Sequence, residues 1–153
     1  MSVEHVTGRS WRALVLLAEL VVSLLLGAAV WAAWLGWDHS YYYDPVVGAY
    51  QGPYRQAQVV ACALTVGLLT ALLALRWNPV VVAAGITVGF WVVWTVQAGS
   101  EDDSGLFLVG SILLLGGLVL GTTVASAVGY RARPLVHRLR DRRQQPPHPD
   151  LPP

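Results

Sequence analysis

Apolar residues run along this chain in four long blocks rather than in alternation with polar ones. The blocks cover residues 13–36, 56–77, 79–98 and 106–129. A helix needs roughly 20 mostly apolar residues to cross a bilayer. Within lipid, only helices and closed barrels satisfy every backbone N–H and C=O. These runs lack the period of two that a barrel strand shows, so they predict four helices. Between and beyond them lie polar segments at 1–12, 37–55, 99–105 and 130–153. Only Asn78 separates the second block from the third, and Pro79 opens the third where its missing N–H costs little. So short a link predicts an antiparallel hairpin of helices. The expected fold is all-α, a polytopic membrane protein built as an antiparallel four-helix transmembrane bundle.

Arginines orient the bundle. Arg9, Arg12, Arg76 and the six arginines of 131–143 fall on one side, and Arg55 alone falls on the other. Basic residues collect on the cytoplasmic side, so both termini are expected in the cytosol. Asp38, Asp44, Glu101, Asp102 and Asp103 fall on the opposite side. The first block continues past the small residues at 27–29 and contains Glu19, which fits a retained span better than a cleaved signal peptide. Trp31, Trp34 and Trp37 mark the outer end of the first helix, with Trp91 and Trp94 in the outer part of the third. Trp11, Trp77 and Tyr130 mark the inner boundary, as expected of aromatic belts.

Composition agrees. Of 153 residues, 55% are hydrophobic and 12% charged, about half the charged share of a soluble domain. All ten basic residues are arginine, which suggests a GC-rich bacterial genome and a bacterial plasma membrane. The single cysteine, Cys62, excludes an internal disulfide and reads as a small buried apolar residue.

Lipid supplies no hydrophobic drive between helices, so small residues four apart mark where helices meet. Ser23 and Gly27 form such a row in the first helix, and Ala63, Gly67 and Ala71 in the second. Gly85 and Gly89 do so in the third, and Gly117, Gly121, Ala125 and Gly129 in the fourth. The fourth row is longest, so that helix is expected to be the most enclosed.

Glu19 is the acidic residue within a span. It lies seven residues beyond Arg12, about 10 Å along the helix. At such depth an ionisable group is paired, protonated or wetted, and is a functional candidate by default. Thr70, Thr87, Thr122, Thr123 and Ser126 lie at comparable depth and are the expected hydrogen-bond donors to it. Glu19 then either ties helices together, snorkels to the inner surface near Arg12 or Arg76, or carries a proton during transport. The string LLAEL around it resembles the first helix of the small multidrug-resistance transporters, four-helix proteins in which such a carboxylate couples drug efflux to proton entry. That resemblance implies the proton role for Glu19 alone. The chain departs from that family in its long outer loop, strong arginine asymmetry and long tail.

The loop 37–55, WDHSYYYDPVVGAYQGPYR, holds five tyrosines. Asp44–Pro45 begins a turn that Gly48 closes, so residues 41–43 and 49–51 are expected to pair as a hairpin over the bundle. Tyr41, Tyr42, Tyr43, Asp44, Tyr50 and Tyr54 form a candidate external contact surface. YYYDP…GPY resembles outer loops of uncharacterised small four-span actinobacterial integral membrane proteins, a resemblance that implies no activity. Metal binding by Asp38, His39 and Asp44 with Glu101, Asp102 and Asp103 lacks any recognised ligand spacing, and no metal site is assigned.

Beyond Pro134, Leu135, Val136 and Leu139 fit one face of a short helix on the inner leaflet. Arg131, Arg133, Arg138, Arg140, Arg142 and Arg143 would hold it to anionic lipid. These arginines lie where the orientation rule wants them, so no nucleic-acid role is read into them. The end, QQPPHPDLPP, is polyproline-like. His5, His39, His137 and His148 all lie outside the spans, which excludes a bis-histidine haem within them. No phosphate loop or zinc motif appears, and no cofactor is expected. Ser23, Ser111 and Ser126 have no His or Lys within the spans to activate them.

The reading is a non-enzymatic membrane protein, an accessory or interaction subunit of a larger membrane protein or of itself. The alternatives are a proton-coupled small-molecule transporter using Glu19 and an external ligand sensor using the 37–55 loop.

Overall fold

The structure, a computed structural model, describes residues 4–37, 42–45, 48–52, 54–102 and 105–144. It is helical apart from one short hairpin. In chain order the elements are α1 (Glu4–Trp34), β1 (Tyr42–Asp44), β2 (Ala49–Gln51), α2 (Gln56–Ala74), α3 (Pro79–Glu101) and α4 (Phe107–Gln144). All four helices are long and apolar enough to cross a membrane. One end of the bundle carries the β1–β2 hairpin, and the other carries the tight α2–α3 turn.

Helix neighbours do not follow chain order. α1 packs chiefly on α3, α3 on α4, and α4 on α2. α2 and α3, though joined by a tight turn, touch less extensively, and α1 does not meet α4 among the described residues. Glycine explains the α1–α3 pairing. A Cβ on Gly85 would strike Ser23, and one on Gly89 would lie 2.9 Å from Leu24 Cα. A Cβ on Gly27 would lie 3.0 Å from Ile86 Cα. The two backbones therefore approach as closely as hydrogen side chains permit. Val82, Ile86 and Phe90 of α3 are buried in the same core as Val30 and Trp31 of α1, Leu35 just beyond its end, and Cys62 and Val66 of α2.

α3 is thus the most enclosed helix and α4 the least, against the expectation from the length of the α4 glycine row. In the most apolar stretch of α3, 39% of residues are buried, against 11% in α4. Only Gly129, at the end of that row, is in tight contact, on the Ala71 backbone of α2. Nothing lies within van der Waals reach of a Cβ at Gly117 or Gly121.

The ends of the helices follow local chemistry. Asn78 caps α3, its Oδ1 accepting from Val80 N (3.0 Å) and Val81 N (3.4 Å), with Pro79 at the first helical position. At the α3–α4 turn, Gly105 takes φ 76° and Asp102 Oδ2 accepts from Phe107 N at 2.6 Å. α4 continues through Pro134, which differs from the separate short helix expected beyond it. Proline removes one helical hydrogen bond. One residue earlier, Arg133 is anchored to α2, which holds α4 on its course across the break. Strand β1 lies one residue later than expected: Tyr42 pairs with Gln51, Tyr43 with Tyr50 and Asp44 with Ala49. Gly48 adopts φ 69° in the connecting turn, a conformation costly for other residues.

Candidate functional site

Two features of the bundle stand out: a polar clamp at the α2–α3 turn, and an apolar groove between α2 and α4.

Glu19 sits level with the turn. Its Oε2 accepts from the backbone N–H of Asn78 at 3.1 Å. In an ordinary capping box, the third residue of the helix returns its side chain to the N-cap N–H. In α3 that residue is Val81, which has nothing to offer, and Glu19 of α1 supplies the acceptor across space. The carboxylate also faces the positive end of the α3 dipole. This corrects the expected pairing. Thr70 donates to Val66 O (2.7 Å), Thr122 to Leu118 O (2.7 Å) and Ser126 to Thr123 O (3.0 Å). Thr87 and Thr122 share a bond of 2.8 Å. Because Thr122 spends its proton on Leu118 O, Thr87 is the donor. Thr123 of α4 lies in a surface crevice between α3 and α4. Thr87, Thr122, Thr123 and Ser126 fall on the α3–α4 seam or on α4, which α1 does not reach. Thr70 lies on α2 and bonds within its own helix.

Arg133 grips the other side of the turn. Its Nε donates to Ala74 O at 2.9 Å and its Nη2 to Trp77 O. The guanidinium thus closes the C-terminal carbonyls of α2, where the helix dipole is negative. It also stacks 4.8 Å from the centroid of the Tyr130 ring. The sequence reading placed Arg133 with the lipid-facing arginines and missed this role. Arg131, Arg138 and Arg140 are exposed along α4, and the side chains of Arg142 and Arg143 lie outside the described residues.

The α3–α4 seam is joined by hydroxyls and an indole. Trp91 Nε1 donates to Ser111 Oγ at 2.8 Å, and Thr95 shares a bond of 2.9 Å with the same oxygen. Trp91 thus joins α3 to α4, and Trp31 is buried in the core. Buried within the bundle, Ser23 Oγ and Trp31 Nε1 have no hydrogen-bond partner among the described residues.

The groove opens where α2 and α4 diverge above their contact at Ala71 and Gly129. It encloses about 460 Å³. Ala63 and Gly67 of α2 face Gly117 and Gly121 of α4 across it, Phe90 and Trp94 of α3 line it as well, and Tyr54 stands at its hairpin end. The same small residues that sequence reading assigned to helix packing here create space instead.

At the hairpin end, Tyr43 is exposed on β1 and Tyr54 is partly buried against the core. Tyr42, Asp44 and Tyr50 are placed by their backbone in the hairpin, while Tyr41, Asp38, His39 and Asp103 lie outside the described residues. Among the described residues, no three His, Cys, Asp or Glu side chains gather as a metal site would require. No family model, curated protein or solved structure matches the chain.

Proposed function

We propose that this four-helix membrane protein is a non-enzymatic accessory or interaction subunit of a bacterial plasma membrane, with both termini in the cytosol. The observation that carries the reading is the ordered hairpin, which presents exposed Tyr43 beyond the apolar bundle. Tyrosine on a fixed strand loses little entropy when it docks, and it is enriched at protein contacts. The nine-to-one arginine distribution supports placing that hairpin outside the cell. Glu19 and Arg133 support the non-catalytic part, since each is spent on the backbone of a neighbouring helix.

A photoreactive phenylalanine analogue in place of Tyr43, activated in intact cells, tests the reading. A discrete protein adduct that Tyr43→Ser competitor chains fail to displace, and wild-type chains do displace, is the expected result. No adduct beyond that formed from exposed Ile112, outside the groove, would reject it. The sensor alternative uses the same hairpin, and an adduct pattern that depends on an added soluble ligand would favour it. The transport alternative requires Glu19 to let go of Asn78 in each cycle. Proton-coupled flux that Glu19→Gln abolishes would favour it.

A further inference from the structure

We infer that the α2–α4 groove holds one chain of a phospholipid from the leaflet on the hairpin side, with the lipid phosphate at Arg55. The placement in a membrane, and the naming of that leaflet as outer, rest on the function proposed above.

Length selects the occupant. On α4 the groove runs from Leu113 to Thr122, about 13 Å along the helix. That is close to half of a hydrocarbon core about 30 Å thick, or one leaflet. Beyond Thr122 the groove ends, because α2 and α4 close on each other where Gly129 meets Ala71. A transmembrane helix seated here would need a seam running through both leaflets.

The lining and the mouth agree with this. Almost all the exposed lining is apolar, and the hydroxyl of Thr122 already donates to Leu118 O. Tyr54 lines the hairpin end, and Arg55 follows it directly at the N-cap of α2, exposed. Arg55 is the only arginine on that side of the spans. It stands at the positive end of the α2 dipole, so a phosphate over the groove mouth meets favourable charge from both. An empty apolar crevice forfeits the dispersion contacts of its walls, and lipid is the apolar molecule a bilayer always supplies.

The test reconstitutes the full chain in phosphatidylcholine–phosphatidylglycerol vesicles containing a trace of either lipid with a mid-chain diazirine. After photolysis, peptide mapping should place most of the label on the groove walls of α2 and α4. Gly117→Leu and, separately, Gly67→Leu fill space that is open in the wild type, and each should remove most of that label. Label on the lipid-facing side of α1 should stay unchanged in both, which also reports that the bundle has kept its fold. Arg55→Gln should lower groove labelling several-fold without redistributing it. Native mass spectrometry should find one phospholipid retained per wild-type chain and none per Gly117→Leu chain. Label spread evenly over all lipid-facing surfaces would overturn the proposal, as would groove labelling indifferent to both leucine variants. A second chain cross-linked through α2 and α4 in place of lipid would also overturn it. These readouts do not depend on the Tyr43 adduct, so either proposal can fail alone.

Discussion

Glu19 and Arg133 hold opposite sides of a single peptide bond, the one joining Trp77 to Asn78. Arg133 donates to its carbonyl and Glu19 accepts from its N–H. The two side chains come from α1 and α4, helices whose backbones make no close approach among the described residues. One peptide unit therefore links the two outermost helices of the bundle. A donor at the carbonyl and an acceptor at the N–H polarise the unit in the same sense, so the two bonds should strengthen each other.

Removing either grip should destabilise the bundle. Glu19→Ala strands the Asn78 N–H and removes a charge from the α3 N-terminus, at an expected cost of about 1–2 kcal/mol. Glu19→Gln keeps an acceptor and should cost less. Arg133→Met should cost about 1.5–3 kcal/mol, since two carbonyls lose a charged donor. Unfolding by denaturing detergent from mixed micelles measures each. In the double variant the losses should fall short of the sum by about 0.5 kcal/mol or more. Strict additivity would show that the shared peptide transmits nothing.

The glycines separate into two kinds. Gly89→Ala places a methyl against the Leu24 backbone, so α1 and α3 must part, at about 1–3 kcal/mol. Gly116→Ala meets nothing within 4 Å on exposed α4 and should stabilise by about 0.5–1 kcal/mol through helix propensity. Thermal melting followed by circular dichroism in micelles tests the opposite signs.

Much of this was legible in the chain and some was not. Four helices, their limits to within a few residues except at the far ends of α1 and α4, and the Ser23–Gly27 and Gly85–Gly89 rows follow from apolar runs and four-residue spacing. Which row meets which does not, because rows on all four helices look alike until side-chain volumes compete in three dimensions. The Gly117–Gly121 row shows the ambiguity, since small residues permit either contact or a groove. Glu19 could be singled out from sequence, but its partner could not. Asn78 is engaged through its backbone, and a backbone donor leaves no mark in the residue types. Arg133 was hidden among neighbouring arginines with the same apparent task.

The α3–α4 seam should respond modestly to loss of its hydroxyls. Thr122→Val removes the bond to Thr87, for about 0.6 kcal/mol by the average for such bonds between membrane helices. Ser111→Ala removes the hydroxyl shared by Trp91 and Thr95, leaving the indole only its 3.2 Å bond to Ser111 O, and should cost more. The same detergent titration orders the two. Trp91 fluorescence in a background with the other tryptophans replaced by phenylalanine should shift only for Ser111→Ala.

Ser23 offers the converse case. Its hydroxyl is fully buried without a hydrogen-bond partner among the described residues. Ser23→Ala removes an unsatisfied group while keeping the Cβ that packs on Gly85, so stability should hold or rise. A loss above about 1 kcal/mol would mean that the hydroxyl has a partner after all.

The membrane path of the chain is tested most directly by labelling from outside intact cells with an impermeant maleimide, in a Cys62→Ala background. Gly52→Cys, beside the hairpin, should label at once. Arg140→Cys, near the end of α4, should label only after the cells are permeabilised. Modification at position 140 in intact cells would contradict the four-span path with cytosolic ends.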